Sequence, residues 1–223
     1  MSHMNVEEAR ERMIVEQLEQ RGIRDPRVLA AMRAVPRHLF VPPELAEHAY
    51  EDTPLPIGFS QTISQPYMVA LMLEVAAPQP YERVLEVGTG SGYQTAVLAQ
   101  LAAEVYSIEY IEELHERAKR TLAELGIKNC WLRVGDGSEG WPEAAPFDVI
   151  VVTAAMPGVP RPLIEQLTPT GRLVAPIGVE ELQTLVRIQR VNGRLQEECF
   201  GECRFVKMVG KYGFSPPTEK QGS

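Results

Sequence analysis

The sequence predicts a doubly wound α/β fold with a mostly parallel sheet. From about residue 66 onward, short apolar runs alternate with amphipathic stretches of helical length. Strand, helix and strand repeated in this way are typical of a parallel sheet covered by helices on both faces. Near the C-terminal end, Asn192-Gly193 separates two further apolar runs and is a strong hairpin turn signal. We therefore expect an antiparallel C-terminal edge, and two predicted helices before the main fold form an N-terminal helical extension.

The N-terminal extension begins with an amphipathic pattern over about residues 4–20. Its apolar residues have the spacing of one buried helical stripe, and Gly22 should end that helix. The stripe consists of Val6, Met13, Ile14 and Leu18. Asp25 followed by Pro26 is typical of a helix N-cap and first turn, so a second, short helix should begin there and stop before Pro36.

A proline-rich segment, residues 41–66, comes next. Few of its apolar residues are periodic, which predicts a long ordered loop or a set of turns. It contains Pro42, Pro43, Pro54, Pro56, Gly58 and Pro66. Because loops of this length often carry function, the segment is a candidate part of a site.

The core elements then alternate in order, after a helix from about Pro66 to Ala76. The predicted strands are residues 84–87, 105–108, 131–134, 147–152 and 172–175. A helix beginning near Ser91 and another over about residues 111–125 should separate the first three strands.

The last part of the chain should form the antiparallel edge. Residues 184–188 and 203–206 are the apolar runs on either side of the Asn192-Gly193 turn. The tail from Phe214 onward is polar, contains Pro216-Pro217 and is expected to fray.

The overall composition disfavours two classes of partner. The chain of 223 residues has 22 basic and 30 acidic residues, and the net charge of −8 argues against a broad phosphate-binding surface. No apolar run approaches the roughly 20 residues that cross a bilayer. We therefore expect no nucleic-acid partner and no membrane role, with the cytoplasm as the default location.

Two further features concern the cysteines and the first residues. Cys130, Cys199 and Cys203 lack the spacing of a four-ligand zinc site, so we expect reduced, buried thiols and no metal. The start, Met1-Ser2-His3-Met4, lacks the basic and long apolar regions of a secretion signal and is interpreted as a cloning remnant.

A glycine motif follows the first core strand. Glu86-Val87-Gly88-Thr89-Gly90-Ser91-Gly92 stands where that strand ends and a helix begins, so its glycines let the backbone turn tightly and approach a nucleoside. Tyr93 occupies the last glycine position of a dinucleotide fingerprint, and no P-loop lysine follows, which disfavours NAD, FAD and a P-loop. Glu86 suits a cationic sulfonium ligand with an ammonium group better than a pyrophosphate. A purely structural glycine turn is the alternative.

Two more acidic residues stand at the ends of the next two predicted strands. Glu109 can accept hydrogen bonds from ribose hydroxyls, and Asp136 can accept one from an adenine amino group. The alternatives are a helix-start acid for Glu109 and an Asp-Gly turn for Asp136. Because the carboxyl ends of these strands converge on one crevice with Glu86, three acids in register favour a binding site.

These residues, together with the motifs that follow, make the sequence resemble the protein-L-isoaspartate O-methyltransferase family. The most specific likeness is Leu55-Pro56-Ile57-Gly58-Phe59-Ser60-Gln61-Thr62-Ile63-Ser64-Gln65-Pro66-Tyr67-Met68, upstream of the glycine motif. Downstream, the family's order continues with Gly135-Asp136-Gly137, Ala145-Pro146-Phe147-Asp148, Val152-Thr153-Ala154-Ala155 and Gly171-Arg172-Leu173-Val174-Ala175-Pro176-Ile177-Gly178. The resemblance extends from about residue 35 to residue 210. It implies a Rossmann-like methyltransferase fold with S-adenosylmethionine as cofactor and S-adenosylhomocysteine as product.

The resemblance also implies roles for individual residues. The residues implied to contact the cofactor are Gln61, Thr62, Ile63, Glu86, Gly88, Thr89, Gly90, Gly92, Glu109, Asp136 and Gly137. Ser64 is implied to be the active-site serine, and a helix N-cap ahead of Gln65-Pro66 is an alternative role compatible with it. Near the C-terminal end, Lys207 stands where the family commonly has proline, which leaves the peptide contacts open.

The implied reaction is methylation of the free carboxylate of L-isoaspartyl residues in damaged proteins and peptides, with repair following through a succinimide. We expect isoaspartyl proteins and peptides as partners, and a monomer. The alternatives are a methyltransferase of another substrate and a non-catalytic adenosylmethionine-binding module; the intact segment 61–64 argues against the module. One methyltransferase domain is expected over residues 1–223. It comprises N-terminal helices and an active-site loop (4–65), a cofactor-binding α/β core (66–210) and a flexible tail (211–223).

Overall fold

The computed structural model describes residues 5–179 and 181–216, so residues 1–4, 180 and 217–223, which include Pro217 and most of the expected tail, lie outside the described residues. A small hairpin consists of β1 (Leu55–Gly58) and β2 (Gln61–Ile63). The main sheet consists of β3 (Arg83–Val87), β4 (Glu104–Glu109), β5 (Cys130–Val134), β6 (Phe147–Val152), β7 (Leu167–Ile177), β8 (Gln183–Val191) and β9 (Arg194–Cys203). The α-helices are α1 (Val6–Arg12), α2 (Pro26–Ala34), α3 (Pro66–Ala76), α4 (Tyr93–Leu101), α5 (Glu112–Glu124) and α6 (Arg161–Glu165).

The main sheet has the strand order β5-β4-β3-β6-β7-β8-β9. β3 pairs in parallel with both β4 and β6, while β5 and β7 extend the parallel part on either side. β8 and β9 add antiparallel strands at one edge. The predicted fold class is therefore confirmed. The direction of chain progression reverses at β3, and in doubly wound sheets ligands bind outside the carboxyl ends of the strands at such a point.

Both faces of the sheet are buried, which explains the continuous apolar runs of its strands. In β6, Val149 and Val151 belong to one apolar cluster, whereas Ile150 and Val152 belong to the other. All four side chains are fully buried. Burial of one such side chain stabilises a fold by about 1.5–3 kcal/mol, so these contacts fix the central strand.

The N-terminal extension follows the predicted pattern with one difference. After α1 the helix continues through π-helical (Met13–Leu18) and 3₁₀ (Glu19–Arg21) turns and ends at Gly22, whose φ of 101° lies in the left-handed region. Three members of the expected stripe are buried, but Val6 is exposed. Asp25 caps α2 as predicted, because its carboxylate accepts a hydrogen bond of 2.8 Å from the backbone N–H of Arg27.

The proline-rich segment contains regular structure that the sequence did not indicate. The hairpin β1–β2 lies within it, and its turn residues Phe59 and Ser60 have φ values of 52° and 56°. Two consecutive residues of positive φ are typical of a tight hairpin turn that favours Asn and Gly, so Phe-Ser gave no turn signal. Arg117 of α5 holds the hairpin by donating from Nη1 to the Ile57 carbonyl over 2.7 Å.

The C-terminal hairpin is confirmed, but its second strand lies earlier than expected. β8 and β9 flank Asn192-Gly193. β9 ends at Cys203, so the strand predicted over residues 203–206 is wrong beyond its first residue. Past Cys203 the chain leaves the sheet and crosses its carboxyl edge; residues 205–216 are called the strap below. No helix among the described residues has the length and apolar character needed to cross a bilayer.

The cysteine expectation is wrong for one of the three thiols. All three are free, and Cys203 is buried. Cys130 is half-buried, whereas Cys199 is exposed because it lies on the edge strand β9. The first residue of the expected frayed tail is also bonded, since the backbone N–H of Phe214 donates to the Met208 carbonyl over 2.7 Å.

Candidate active site

A cavity of about 380 Å³ opens at the carboxyl ends of β3 and β4. The glycine motif, residues 59–64 of the hairpin segment and the strap line it. The volume lies within the range of about 300–1,000 Å³ that is usual for small-molecule sites. Folding therefore brings the predicted cofactor motif and the predicted active-site segment to one cavity.

The glycine motif turns tightly at the start of the cavity. Gly88 has a φ of 97°, and a Cβ atom at this position would lie 2.3 Å from Oγ1 of Thr153. That hydroxyl donates to the Gly88 carbonyl over 2.6 Å, while the Gly88 N–H donates to the Ile108 carbonyl over 2.8 Å. Gly88 is therefore required both for its backbone conformation and for the space that a side chain would occupy.

Glu86 lies beneath the motif and does not line the cavity, which differs from the expected direct contact. Its position on β3 directs the carboxylate at α4, where Thr95 donates a hydrogen bond to it. Ser107 donates a second bond of 2.7 Å, and the Ser107 hydroxyl lies 2.6 Å from that of Thr89 on the cavity wall. Glu86 is therefore connected to the cavity wall by hydrogen bonds that pass through the hydroxyl groups of Ser107 and Thr89.

Gly92 also lies outside the lining, although it was expected to contact the cofactor. Its φ is 86°, and a Cβ atom there would lie 3.1 Å from Cβ of Ala118 on α5. The absence of a side chain at Gly92 thus allows α4 and α5 to pack closely.

The buried carboxyl of Glu86 gives a testable pH dependence. Burial raises the pKa of Glu86 to about 7, against the lowering effect of the bonds from Ser107 and Thr95. Between the unfolded pKa of 4.5 and the folded pKa of about 7, the folded state binds the extra proton. Stability from this group is therefore lost as the pH rises through that window, by roughly 2 kcal/mol between pH 5.5 and 8.

The Glu86→Gln variant should lack this contribution. Denaturant unfolding of both proteins at pH 5.5 and pH 8 measures it, because the other titrating groups are shared and cancel in the comparison. Equal pH dependence in the variant and the unsubstituted protein would contradict a titrating Glu86.

Glu109 is buried at the cavity wall and braces two backbone segments. One carboxylate oxygen accepts from the Gly90 N–H over 2.7 Å, and the other accepts from the Ile111 N–H over 3.0 Å. Glu109 therefore also acts as an acid at the start of α5, which was the alternative interpretation of this residue. Each oxygen retains lone-pair capacity for a further hydrogen bond, so the same carboxylate can also face a ligand.

Asp136 is placed differently from the expected adenine contact. Its carboxylate caps a 3₁₀ turn (Gly137–Glu139) by accepting from the Ser138 N–H over 2.9 Å. The second oxygen accepts from the Lys211 N–H of the strap over 2.7 Å. Partial burial acts to raise the pKa of Asp136, but these bonds outweigh it and the pKa lies below its ordinary value. Asp136 therefore fastens the strap, while its neighbour Gly137 lines the cavity.

The segment of Ser64 is held by a buried arginine. Arg37 is fully buried and donates from Nη2 to the Ser64 carbonyl and from Nε to the Ala49 carbonyl, each over 2.7 Å. Its guanidinium lies 4.9 Å from the ring centroid of Tyr93, which also lines the cavity. Burial lowers the pKa of Arg37 to about 10, so the side chain remains cationic at neutral pH.

Ser64 lines the cavity, and its side chain does not cap a helix. α3 begins at Pro66 with Gln65 as its N-cap, and no side chain caps it, so the N-cap alternative for Ser64 is wrong. The hydroxyl has no hydrogen-bond partner within the parts of the chain that the structure describes. Gln61, Thr62 and Ile63 line the cavity beside it, as do Thr89 and Gly90 opposite.

Sequence reasoning missed several residues of the site. Arg37 lies in a short apolar stretch where nothing distinguishes it from a solvated arginine. Thr153 and Ser107 are ordinary strand-end and strand residues until the fold brings them to the glycine motif. For the strap, the one sequence feature that stood out was Lys207, which departs from the family pattern.

Comparisons with known proteins agree with this geometry. The family model for protein-L-isoaspartate(D-aspartate) O-methyltransferase matches residues 8–213. A protein-L-isoaspartate O-methyltransferase of Syntrophus aciditrophicus is 53% identical over 207 residues, 92% of this chain and 95% of the relative. One from Methanoregula boonei is 54% identical over 205 residues, 92% of this chain and 94% of the relative.

Two solved structures are similar over nearly the whole chain. A protein-L-isoaspartate O-methyltransferase superposes with a TM-score of 0.82 at 32% identity, covering 92% of this chain and 67% of its own. A Plasmodium falciparum structure, described as a protein of the same kind in complex with S-adenosyl-L-homocysteine, has a TM-score of 0.79 at 27% identity and covers 93% of this chain and 99% of its own.

The fold and the cavity at its switch point define the class of S-adenosylmethionine-dependent methyltransferases. Within that class, the chain belongs to the protein-L-isoaspartate(D-aspartate) O-methyltransferase family.

Proposed function

We propose that this chain transfers the methyl group of S-adenosylmethionine to the free carboxylate of L-isoaspartyl residues in proteins and peptides. One observation carries the proposal. Ser64, with its carbonyl anchored by Arg37 and its hydroxyl unbonded among the described residues, lines the same cavity as the glycine motif and Glu109. Family membership restricts the substrate class, and this geometry supplies a place for both reactants.

The residues of the cavity fit the cofactor. Glu109 offers two carboxylate oxygens to a diol, and Gly88 and Gly90 expose backbone at the motif. Gly137 has no room for a side chain at the cavity wall, because a Cβ there would lie 2.4 Å from Cγ1 of Val87. When bound, the cofactor supplies an electrophilic methyl group on a sulfonium sulfur. Residues 61–63 of the hairpin segment would close the cavity from the other side.

The chemistry requires positioning rather than a strong base. A carboxyl group with a pKa of about 4 is already ionised at neutral pH, so its oxygen can attack without losing a proton. The described lining accordingly includes no histidine or cysteine. The protein's part is to align the carboxylate and to exclude water from it, which together contribute several kcal/mol to lowering a barrier.

The proposal is tested with labelled adenosylmethionine and matched peptides that contain either isoaspartate or normal aspartate. We expect base-labile label only in the isoaspartyl peptide. Equal labelling of both peptides would favour a methyltransferase of another substrate, and no labelling with retained cofactor binding would favour a non-catalytic module.

Replacing Ser64 with alanine should slow turnover without weakening cofactor binding. A hydrogen bond to a charged group is worth about 1.5–3 kcal/mol, so kcat should fall by about 10–100-fold if the hydroxyl aims the substrate carboxylate. The dissociation constant of the cofactor should stay within about twofold, since the backbone and Arg37 are unchanged. Steady-state kinetics and calorimetric titration measure the two quantities.

The Ser64→Thr variant is the matched comparison, because it keeps a hydroxyl and should recover part of the lost kcat. Normal turnover by Ser64→Ala would remove Ser64 from any catalytic role.

We further propose that the methyl ester collapses to a succinimide, whose hydrolysis returns some normal aspartate. The chain would act as a monomer with one methyltransferase domain, on isoaspartyl proteins in the cytoplasm and without nucleic acid. The chain's net charge of −8 supports the absence of a nucleic-acid partner. Equilibrium sedimentation tests the monomer directly.

A further inference from the structure

The cavity has an unusual charge arrangement for a protein of this composition. Among the described residues that line it, Lys207 is the only Lys or Arg and Glu109 is the only carboxylate. The whole chain carries a net charge of −8, so an acidic peptide would meet an average field that repels it. Lys207 is therefore the one described cation positioned to attract negative charge at the cavity wall.

The charge of Lys207 is available to attract a ligand. Two other lysines bind carboxylates within the protein: Lys119 lies 3.8 Å from Glu116, and Lys211 lies 3.0 Å from Glu139. Lys207 is exposed, and no described acid forms an ion pair with it. Its ammonium instead lies 5.0 Å from the ring centroid of Phe214, a contact that orients the side chain without neutralising its charge.

The backbone at Lys207 is also available to a peptide. The Ala155 N–H donates to the Val206 carbonyl over 2.7 Å, and the Met208 N–H donates to the Ala155 carbonyl over 2.9 Å. In this parallel pairing, the N–H and C=O of Lys207 point to the opposite side, and neither has a partner among the described residues. A peptide in extended form can pair with such an edge, which would bring its side chains beside the ammonium of Lys207.

We propose that Lys207 selects substrates by charge, so that isoaspartyl peptides with an acidic residue next to the isoaspartate bind better than those with a basic residue there. The inference rests on the proposed function. Lys207 lines the cavity and is exposed, so its charge acts on residues flanking the reacting group. An ammonium paired with the reacting carboxylate itself would weaken that nucleophile, and the preference therefore lies in KM and not in kcat.

The test uses two isoaspartyl peptides that differ only in a glutamate or a lysine beside the isoaspartate. The unsubstituted enzyme should show a KM about fivefold lower for the glutamate peptide at low salt, with equal kcat, as expected for exposed charge pairs. The ratio of the two KM values should fall towards one in 1 M salt, where the screening length is about 3 Å.

Variants at Lys207 separate charge from structure. Lys207→Glu should invert the preference, Lys207→Gln should remove the advantage of the glutamate peptide, and Lys207→Arg should keep it although the contact with Phe214 changes. Lys119→Gln removes the same unit of charge from α5, outside the cavity lining, and should leave the preference as it was. A purely structural role of Lys207 would not exchange the order of two peptides.

Each outcome is decisive. Inversion by Lys207→Glu with retained preference in Lys119→Gln supports the inference. An unchanged preference in Lys207→Glu, or equal KM values for both peptides in the unsubstituted enzyme, overturns charge selection while leaving the proposed function intact. If neither isoaspartyl peptide is methylated, the proposed function fails and this inference fails with it.

Discussion

Replacing Arg37 with methionine should lower the free energy of unfolding by about 3 kcal/mol, because one buried and one partly buried carbonyl lose their donor at about 1–3 kcal/mol each. Those carbonyls belong to Ala49 and Ser64, and methionine retains most of the aliphatic volume but cannot donate. Relief from burying an unpaired guanidinium offsets part of the loss. Urea unfolding measures the change in stability, and kcat measured well below the unfolding transition should also fall, since Ser64 loses its anchor.

Two further variants make this prediction specific. Arg37→Lys keeps a positive charge and can reach one carbonyl, so it should lose about half as much stability. Arg161→Met removes an arginine that is 87% exposed and whose one ion pair within the described part of the chain is with Glu165, and its stability should change by less than about 0.5 kcal/mol. An Arg37→Met protein with unchanged stability and kcat would show that the buried guanidinium anchors nothing.

Replacing Gly88 with alanine should raise the dissociation constant of S-adenosylmethionine by about 100-fold. The new methyl group would meet Oγ1 of Thr153 at 2.3 Å, and alanine is strained at a φ of 97°. Strain and overpacking each cost about 1–3 kcal/mol, and the motif can relieve them only by leaving the backbone position that faces the cavity. Isothermal titration with the cofactor measures the loss.

A glycine elsewhere in the chain provides the matched control for backbone strain. Gly22 has a φ of 101°, nearly that of Gly88, but nothing lies within 4 Å of a Cβ built there. Gly22→Ala should therefore lose about 1–2 kcal/mol of stability and keep its cofactor affinity. If both variants bound the cofactor normally, Gly88 would not shape the cofactor site.

The sequence located the backbone positions that line the cavity more accurately than it located the directions of the side chains. Gly88, Glu109 and Ser64 all reach the cavity as the strand-end argument and the family resemblance indicated. Glu86 and Asp136 occupy the expected strand ends, yet their carboxylates bind other parts of the protein. A strand-end position fixes where a backbone lies, but the partners of a carboxylate depend on which donors the rest of the fold brings near.

The sequence by itself determined the fold class, the order of strands and helices along the chain, the glycine motif and the family. These follow from local properties: the alternation of apolar runs, the turn at Asn192-Gly193 and the space that glycine leaves at a strand end. Tertiary structure alone decided that Arg37 holds the carbonyl of Ser64, 27 residues away, and that Asp136 binds the strap 75 residues further along. The physical reason is that such hydrogen bonds join segments distant in the chain, and neither partner's identity predicts the other until the fold places them together.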